Sequence, residues 1–343
     1  RRGVLLGIAL GAGLLAKFSF LVFFPPCALL AFLARPKIGG LKPTAPLAAI
    51  LVAFLVLWAG YRFDFRTARD YSGDHAVYAV SQLTPLLANV PLPAPAFFVG
   101  LGFLKIHDAQ GHGAYLLGEH SQTGWWYYFP VVFFYKTPLP YLFLALWGAV
   151  LALRNRALLA ILLMAAAILG VAMTSSINIG IRHILPLYVP LSVVAAYAVV
   201  DIWNRSRDAF GRVAFAALLA WLFGGVALSH PDYLAWFNEA ARPNPARIAV
   251  DSNLDWGQDS LRLARVVREM QLEELHVDIL TNVRLEQHGI RMVPFDPGAK
   301  TSGWLAVSET ILATKAQWGQ YRWLSSYRPV RRVGESIRLY HIP

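Results

Sequence analysis

Residues 184–200 read ILPLYVPLSVVAAYAVV, and residues 213–229 read VAFAALLAWLFGGVALS. Neither stretch holds a Lys, Arg, Asp or Glu. Their length falls within the roughly 17–25 apolar residues an α-helix needs to cross a bilayer core. Lipid offers no partner to a bare peptide group, so a helix, which satisfies its own, is the form such runs take there.

Five more apolar runs precede these two, at 3–16, 18–34, 45–61, 138–153 and 157–173. Together they predict a mainly α, polytopic transmembrane helix bundle. Lys17 separates the first two runs, and Pro25 and Pro26 predict a bend in the second. Charged residues are 15% of the 343, against about 25% in an average soluble domain, and the deficit lies in residues 1–229. From 230 onward the composition is that of an ordinary soluble domain. The expected division is a bundle at 1–229, with a long loop at 61–137, and a small soluble α/β domain at 230–343.

In that domain, Arg247–Asp251, His276–Leu280, Trp304–Val307 and Ile337–His341 read as strands. Leu261, Leu263, Val266, Val267 and Met270 recur at helical spacing. The domain has no Gly-rich phosphate loop. In the long loop, Pro95–Leu104 and Trp125–Tyr135 read as short interfacial helices. Trp125, Trp126, Tyr127 and Tyr128 fit an aromatic belt.

The net charge of +11 does not point to nucleic acid. Residues 1–229 hold 17 Lys and Arg against 7 Asp and Glu, whereas 230–343 hold 14 against 13. The basic excess therefore belongs to the membrane part, where loop cations set orientation. With Arg1 and Arg2 in the cytoplasm and one crossing per run, segments 1–2, 35–42, 154–156 and 201–212 carry 10 cations in 25 residues. The opposite loop, 61–137, carries 5 in 77. That bias puts the loop and the C-terminal domain on the outer, extracytoplasmic face, the periplasm of a Gram-negative cell. The lone Cys27 permits no disulfide within the chain and reads as a small core residue.

Chemistry-bearing residues gather on the outer face. Lys17 ends the first run, Lys136 precedes the run at 138, and Arg182 and His183 precede the run at 184. Such cations are costly beside lipid unless paired. They read either as snorkelling side chains or as partners of a headgroup-level phosphate, which Arg binds in a bidentate way. The loop acids Asp64, Asp70, Asp74, Asp108 and Glu119 are open as solvated charges, as general bases or as ligands of a divalent metal. His75, His107, His112 and His120 have no tight metal spacing. The run Asp251–Asp259 (DSNLDWGQD) is dense in polar side chains. Asp251, Asn253, Asp255, Trp256 and Asp259 read either as turn and cap formers or as contacts for a sugar or acceptor.

Four segments carry a family resemblance. Gly7–Ser19 (GIALGAGLLAKFS) resembles a segment of the membrane glycosyltransferases with the C-type fold, which include the family 39 proteins and protein O-mannosyltransferases. Trp125–Pro138 (WWYYFPVVFFYKTP), Asn178–Pro186 (NIGIRHILP), and Tyr233–Glu239 leading to Asp251–Asp259 are similar to segments of a bacterial subgroup. The resemblance implies transfer of a sugar from a polyprenyl-phosphate carrier to an outer-face acceptor, in a bacterial inner membrane. It implies a carrier-phosphate role for Lys136, Arg182, His183 and Lys17. It also implies a catalytic acid in a first outer loop, expected upstream of Arg1, so the chain reads as a C-terminal fragment. A lipid-linked sugar transporter or flippase and a non-catalytic membrane scaffold are the competing readings.

Overall fold

The structure is a computed structural model that describes residues 1–34 and 44–343. The cations Arg35, Lys37 and Lys42 used in the orientation count lie outside the described residues. The described chain is mainly helical. Its α-helices are α1 (Arg2–Ala16), α2 (Ser19–Ala34), α3 (Thr44–Gly60), α4 (Ala68–Ser81), α5 (Pro95–Gln110) and α6 (Tyr128–Lys136). They continue with α7 (Leu139–Ala152), α8 (Arg156–Ala172), α9 (Tyr188–Arg205), α10 (Ala209–Leu228), α11 (Ser260–Glu269) and α12 (Glu309–Lys315). The strands are β1 (Phe65–Arg66), β2 (Leu92–Pro93), β3 (Ala114–Leu116), β4 (Glu119–Ser121), β5 (His276–Asp278), β6 (Gly303–Ser308), β7 (Arg331–Val333) and β8 (Ile337–Ile342).

A helix lies on each of the seven apolar runs. Two helical stretches, Ile181–Arg205 and α10, are long and apolar enough to cross a membrane. α6 and α7 pass the same test only together, and they are bent by 117° at Thr137 and Pro138. α1, α2, α3 and α8 are apolar but shorter. α2 runs as one helix through Pro25 and Pro26, where a bend was expected.

Two compact units interleave along the sequence. The first comprises Arg1–His112, Ala149–Ser176 and Pro186–Leu191, and the second Gly113–Gly148, Ile177–Leu185 and Ser192–Pro343. The compositional boundary at 229/230 falls within the second.

In the first unit, α1 presents Gly3, Gly7 and Gly11 to α3, all buried. A Cβ on Gly7 would stand 2.6 Å from the Ala49 carbonyl oxygen, so the backbones approach as closely as a small residue at every fourth position allows. Cys27 is buried on α2 and its thiol reaches the Met164 carbonyl of α8 at 3.5 Å. α4 and α5 pack against each other around Ala76, Ala79, Val80 and Val99.

In the second unit, Leu144 and Ala145 of α7 pack with Ala195 and Ala198 of α9 and with Leu218 and Leu222 of α10. The sheet has the order β5-β6-β8-β7, with β5 parallel to β6 and the other pairs antiparallel. Period-two alternation splits β6 and β8 between two cores. Ala306, Ile337 and Leu339 meet Leu263, Val266 and Val267 of α11, while Leu305, Val307, Tyr340 and Ile342 meet Tyr321 and Leu324. The strands expected around His276, Trp304 and Ile337 are present. Arg247–Asp251, however, is not a strand. Pro245–Arg247 and Asp251–Asn253 are 3₁₀ turns, and Asp251 sits at φ 58°, outside extended geometry.

Candidate functional site

The second unit brings together Trp125–Pro138, residues 178–185 and Asp251–Asp259, with Tyr233–Glu239 between them in sequence. Backbone-directed side chains do the joining. Asn238 is buried; its Nδ2 donates to the carbonyls of Phe134 at 2.6 Å and Thr137 at 2.9 Å, and its own N–H donates to the Tyr135 carbonyl at 2.8 Å. These carbonyls lie in the last turn of α6 and at its C-cap, where helix carbonyls lack partners within the helix. Asn178 accepts the Trp125 N–H at 2.7 Å.

Asn253 is the hub. It is fully buried. Its Oδ1 accepts the Ile181 N–H at 2.9 Å, and its Nδ2 donates to the Tyr128 hydroxyl at 2.9 Å and the Val250 carbonyl at 3.2 Å. Beside it the Ser252 hydroxyl donates to the Ile179 carbonyl at 2.7 Å. A Cβ on Gly180 would lie 2.1 Å from that hydroxyl oxygen, so glycine is what the close approach admits here. One turn, Asp251–Asn253, thereby fixes the loop that carries Arg182 and His183.

Lys136 is employed differently from the phosphate role expected of it. Its ammonium donates to the carbonyls of Leu234 (2.7 Å), Trp236 (2.5 Å) and Asn253 (2.7 Å), and it lies 4.4 Å from the Phe237 ring centre. An ammonium has three donors, and all three are engaged. Lys136 thus fastens α6 to the chain around 234–237 and to the Asn253 turn.

Arg182 is half-buried and stands over the Trp256 ring at 4.2 Å. Trp256 is exposed. His183 follows on the same 3₁₀ turn, half-buried, its N–H donating to the Gly180 carbonyl at 3.3 Å. This face therefore offers a fixed cation, an imidazole and an aromatic ring. The stack orients the guanidinium plane while leaving its edge donors free of a carboxylate among the described residues.

The acids of the same run face inward. Asp259 is fully buried. One oxygen accepts the N–H groups of Glu335 and Ser336 at 3.1 Å each and the Ser336 hydroxyl at 2.8 Å, and the other accepts Arg262 at 2.9 Å. Asp255 is buried and accepts the Gly257 N–H at 3.1 Å; burial pushes its carboxyl above the usual range. Asp251 uses its carboxylate on the Ser252 N–H at 2.5 Å. Of the five residues weighed for a sugar, Trp256 alone presents an exposed side chain.

Other candidates lie elsewhere. Lys17 belongs to the first unit, exposed between α1 and α2. Asp64 pairs with Arg66 at 3.0 Å and Asp74 with Arg69 at 2.8 Å, Asp70 accepts the Thr67 hydroxyl at 2.5 Å, and Asp108 accepts Ser176 at 3.2 Å. The rings of His107 and His112 are 5.6 Å apart. Among the described residues no three His, Cys, Asp or Glu side chains gather as a metal set.

Sequence reading did not single out Tyr128, Asn178, Asn238 and Ser252 as the residues that tie this face together. A signal was present: three asparagines sit within or beside apolar segments, where a polar amide must be fully bonded. No protein-family model, no curated protein and no solved structure matches this chain.

Proposed function

We propose that this chain serves an integral-membrane glycosyltransferase that moves a sugar from a polyprenyl-phosphate carrier to an extracytoplasmic acceptor. In this reading residues 1–229 form a polytopic bundle of the C-type kind in a bacterial inner membrane, and residues 230–343 lie outside the cell membrane. One observation carries the reading. The segments that resemble the family 39 proteins at 125–138, 178–186 and 251–259 are joined by Asn253, and the joint presents Arg182 on Trp256.

The chemistry follows from charge. When the bond from the sugar to the carrier phosphate breaks, negative charge grows on the leaving phosphate. A preoriented guanidinium stabilises that charge more than the ground state, which is what accelerates the step. His183 follows on the same turn. Lys136 holds the assembly in register. Lys17 keeps the reading of an exposed cation at a helix end.

The test is transfer of a labelled sugar from polyprenyl phosphate in proteoliposomes. Arg182→Ala in the full-length protein is expected to lower turnover by about 10²-fold or more, the loss typical of one transition-state donor. Unchanged turnover overturns the assignment of Arg182. Label that crosses the bilayer with its phosphate bond intact supports a transporter instead.

A further inference from the structure

The second unit holds a cavity that shares no lining residue with the Asn253 joint, between the sheet and the turns before α12 and after it. Its volume is about 420 Å³, within the range of small-ligand sites. Tyr115 of β3 and Tyr327 line it as half-buried rings. The Tyr115 hydroxyl is a protonated donor at neutral pH, and burial pushes its pKa further up.

Two polar features mark the cavity as built for a ligand with hydroxyls. The first is the pair of Arg338 and Glu309, which also line it. Arg338 grips the Glu309 carboxylate through Nε at 2.6 Å and Nη2 at 2.7 Å, and Glu309 is buried. A bidentate pair held this way is a rigid donor and acceptor array. The second is Gln320, whose Oε1 is buried and has no hydrogen-bond partner among the described residues. A buried acceptor without a donor costs about 1–3 kcal/mol, and a ligand hydroxyl removes that cost.

Charge narrows the class. Glu309 also accepts Arg332 at 2.9 Å, so the Arg338–Glu309–Arg332 cluster carries one net positive charge. Arg247 and Arg322 remain, both exposed and both lining the cavity, with no carboxylate partner among the described residues. Aromatic faces suit the C–H face of a pyranose, and two free guanidinium groups suit a carboxylate.

We propose that this cavity binds an acidic saccharide. The tyrosine rings take the sugar faces, Gln320 and the Arg338–Glu309 pair take hydroxyls, and Arg247 and Arg322 take the sugar carboxylate. The site is separate from the carrier-phosphate face and does not depend on the transfer reading.

The experiment is calorimetric titration of the full chain in nanodiscs with trigalacturonate, with maltotriose as the neutral probe. Trigalacturonate is expected to bind at least tenfold more tightly than maltotriose. Gln320→Ala is expected to weaken it more than tenfold, and so is the pair Arg247→Ala with Arg322→Ala. Gln320 holds no internal bond through Oε1 and the two arginines are exposed, so melting temperatures should not fall below the parent value. No trigalacturonate binding overturns the proposal, as does binding that both variants leave unchanged. A polyglutamate peptide that binds as tightly as trigalacturonate also overturns it, because the surface then reads charge alone.

Discussion

The Arg182 guanidinium lies 4.2 Å from the centre of the exposed Trp256 ring, across 74 positions of sequence. A cation over indole is worth about 0.5–1 kcal/mol in water and about 2 when desolvated. A double-mutant cycle with Arg182→Ala and Trp256→Ala, read by denaturant unfolding in detergent, should therefore show coupling of about 0.5–2 kcal/mol. Strictly additive losses would mean that the stack contributes nothing.

Asn253→Ala removes the acceptor of the Ile181 N–H and the donor to the Tyr128 hydroxyl, both in buried surroundings. Each orphaned group costs about 1–3 kcal/mol. The expected loss is about 2–4 kcal/mol in unfolding, with earlier proteolysis of the 178–186 turn. Asn253→Asp should recover part of it, since Oδ1 still accepts from Ile181. Equal stability of the Ala variant and the parent would contradict the hub role.

Lys136→Met should destabilise the second unit, leaving the Leu234, Trp236 and Asn253 carbonyls short of a donor. Lys136→Arg should not rescue it. A guanidinium is a planar fork, whereas this socket takes three donors diverging from one nitrogen. The two melting temperatures check this, and full rescue by Arg would instead favour a simple charge requirement.

These outcomes separate what the sequence expresses from what it hides. Continuous apolarity is a local signal, and helices form on all seven runs. Alternation in Gly303–Ser308 and Ile337–Ile342 is equally local, and both are strands. The segment Ile248–Ala249–Val250 is just as apolar and is buried, yet it lies between two 3₁₀ turns set by Pro245 and by Asp251 at positive φ. Three residues are too short a run for periodicity to decide. The socket of Lys136 was illegible for another reason: its acceptors are main-chain carbonyls, which carry no residue identity. Asp259 reads as a cap or as a sugar contact from its neighbours alone, because its partners, Glu335 and Ser336, lie more than 70 residues away.

Asp255 gives a pH test. Burial raises its carboxyl above the ordinary value, and the Gly257 amide offsets part of that. The folded chain therefore keeps a proton that the unfolded chain has released. Stability falls as pH rises from the unfolded value, about 3.9, through the raised folded value, and is level above it. Asp255→Asn does not titrate and can still accept from Gly257. The melting-temperature gap between variant and parent should widen through that window in favour of Asn. A gap constant across the series would show that Asp255 is ionised at its ordinary value.

The socket of Lys136 also bears on how the protein is made. The nascent chain presents this ammonium 98 residues before Leu234 and 117 before Asn253. At about 5–20 residues per second, the ribosome needs roughly 5–25 s to deliver the last acceptor. Throughout that interval α6 exists with its cation unhoused. The helices at 139–228 are thus synthesised before the lock that fastens α6, and closure of this unit is a late event in biogenesis.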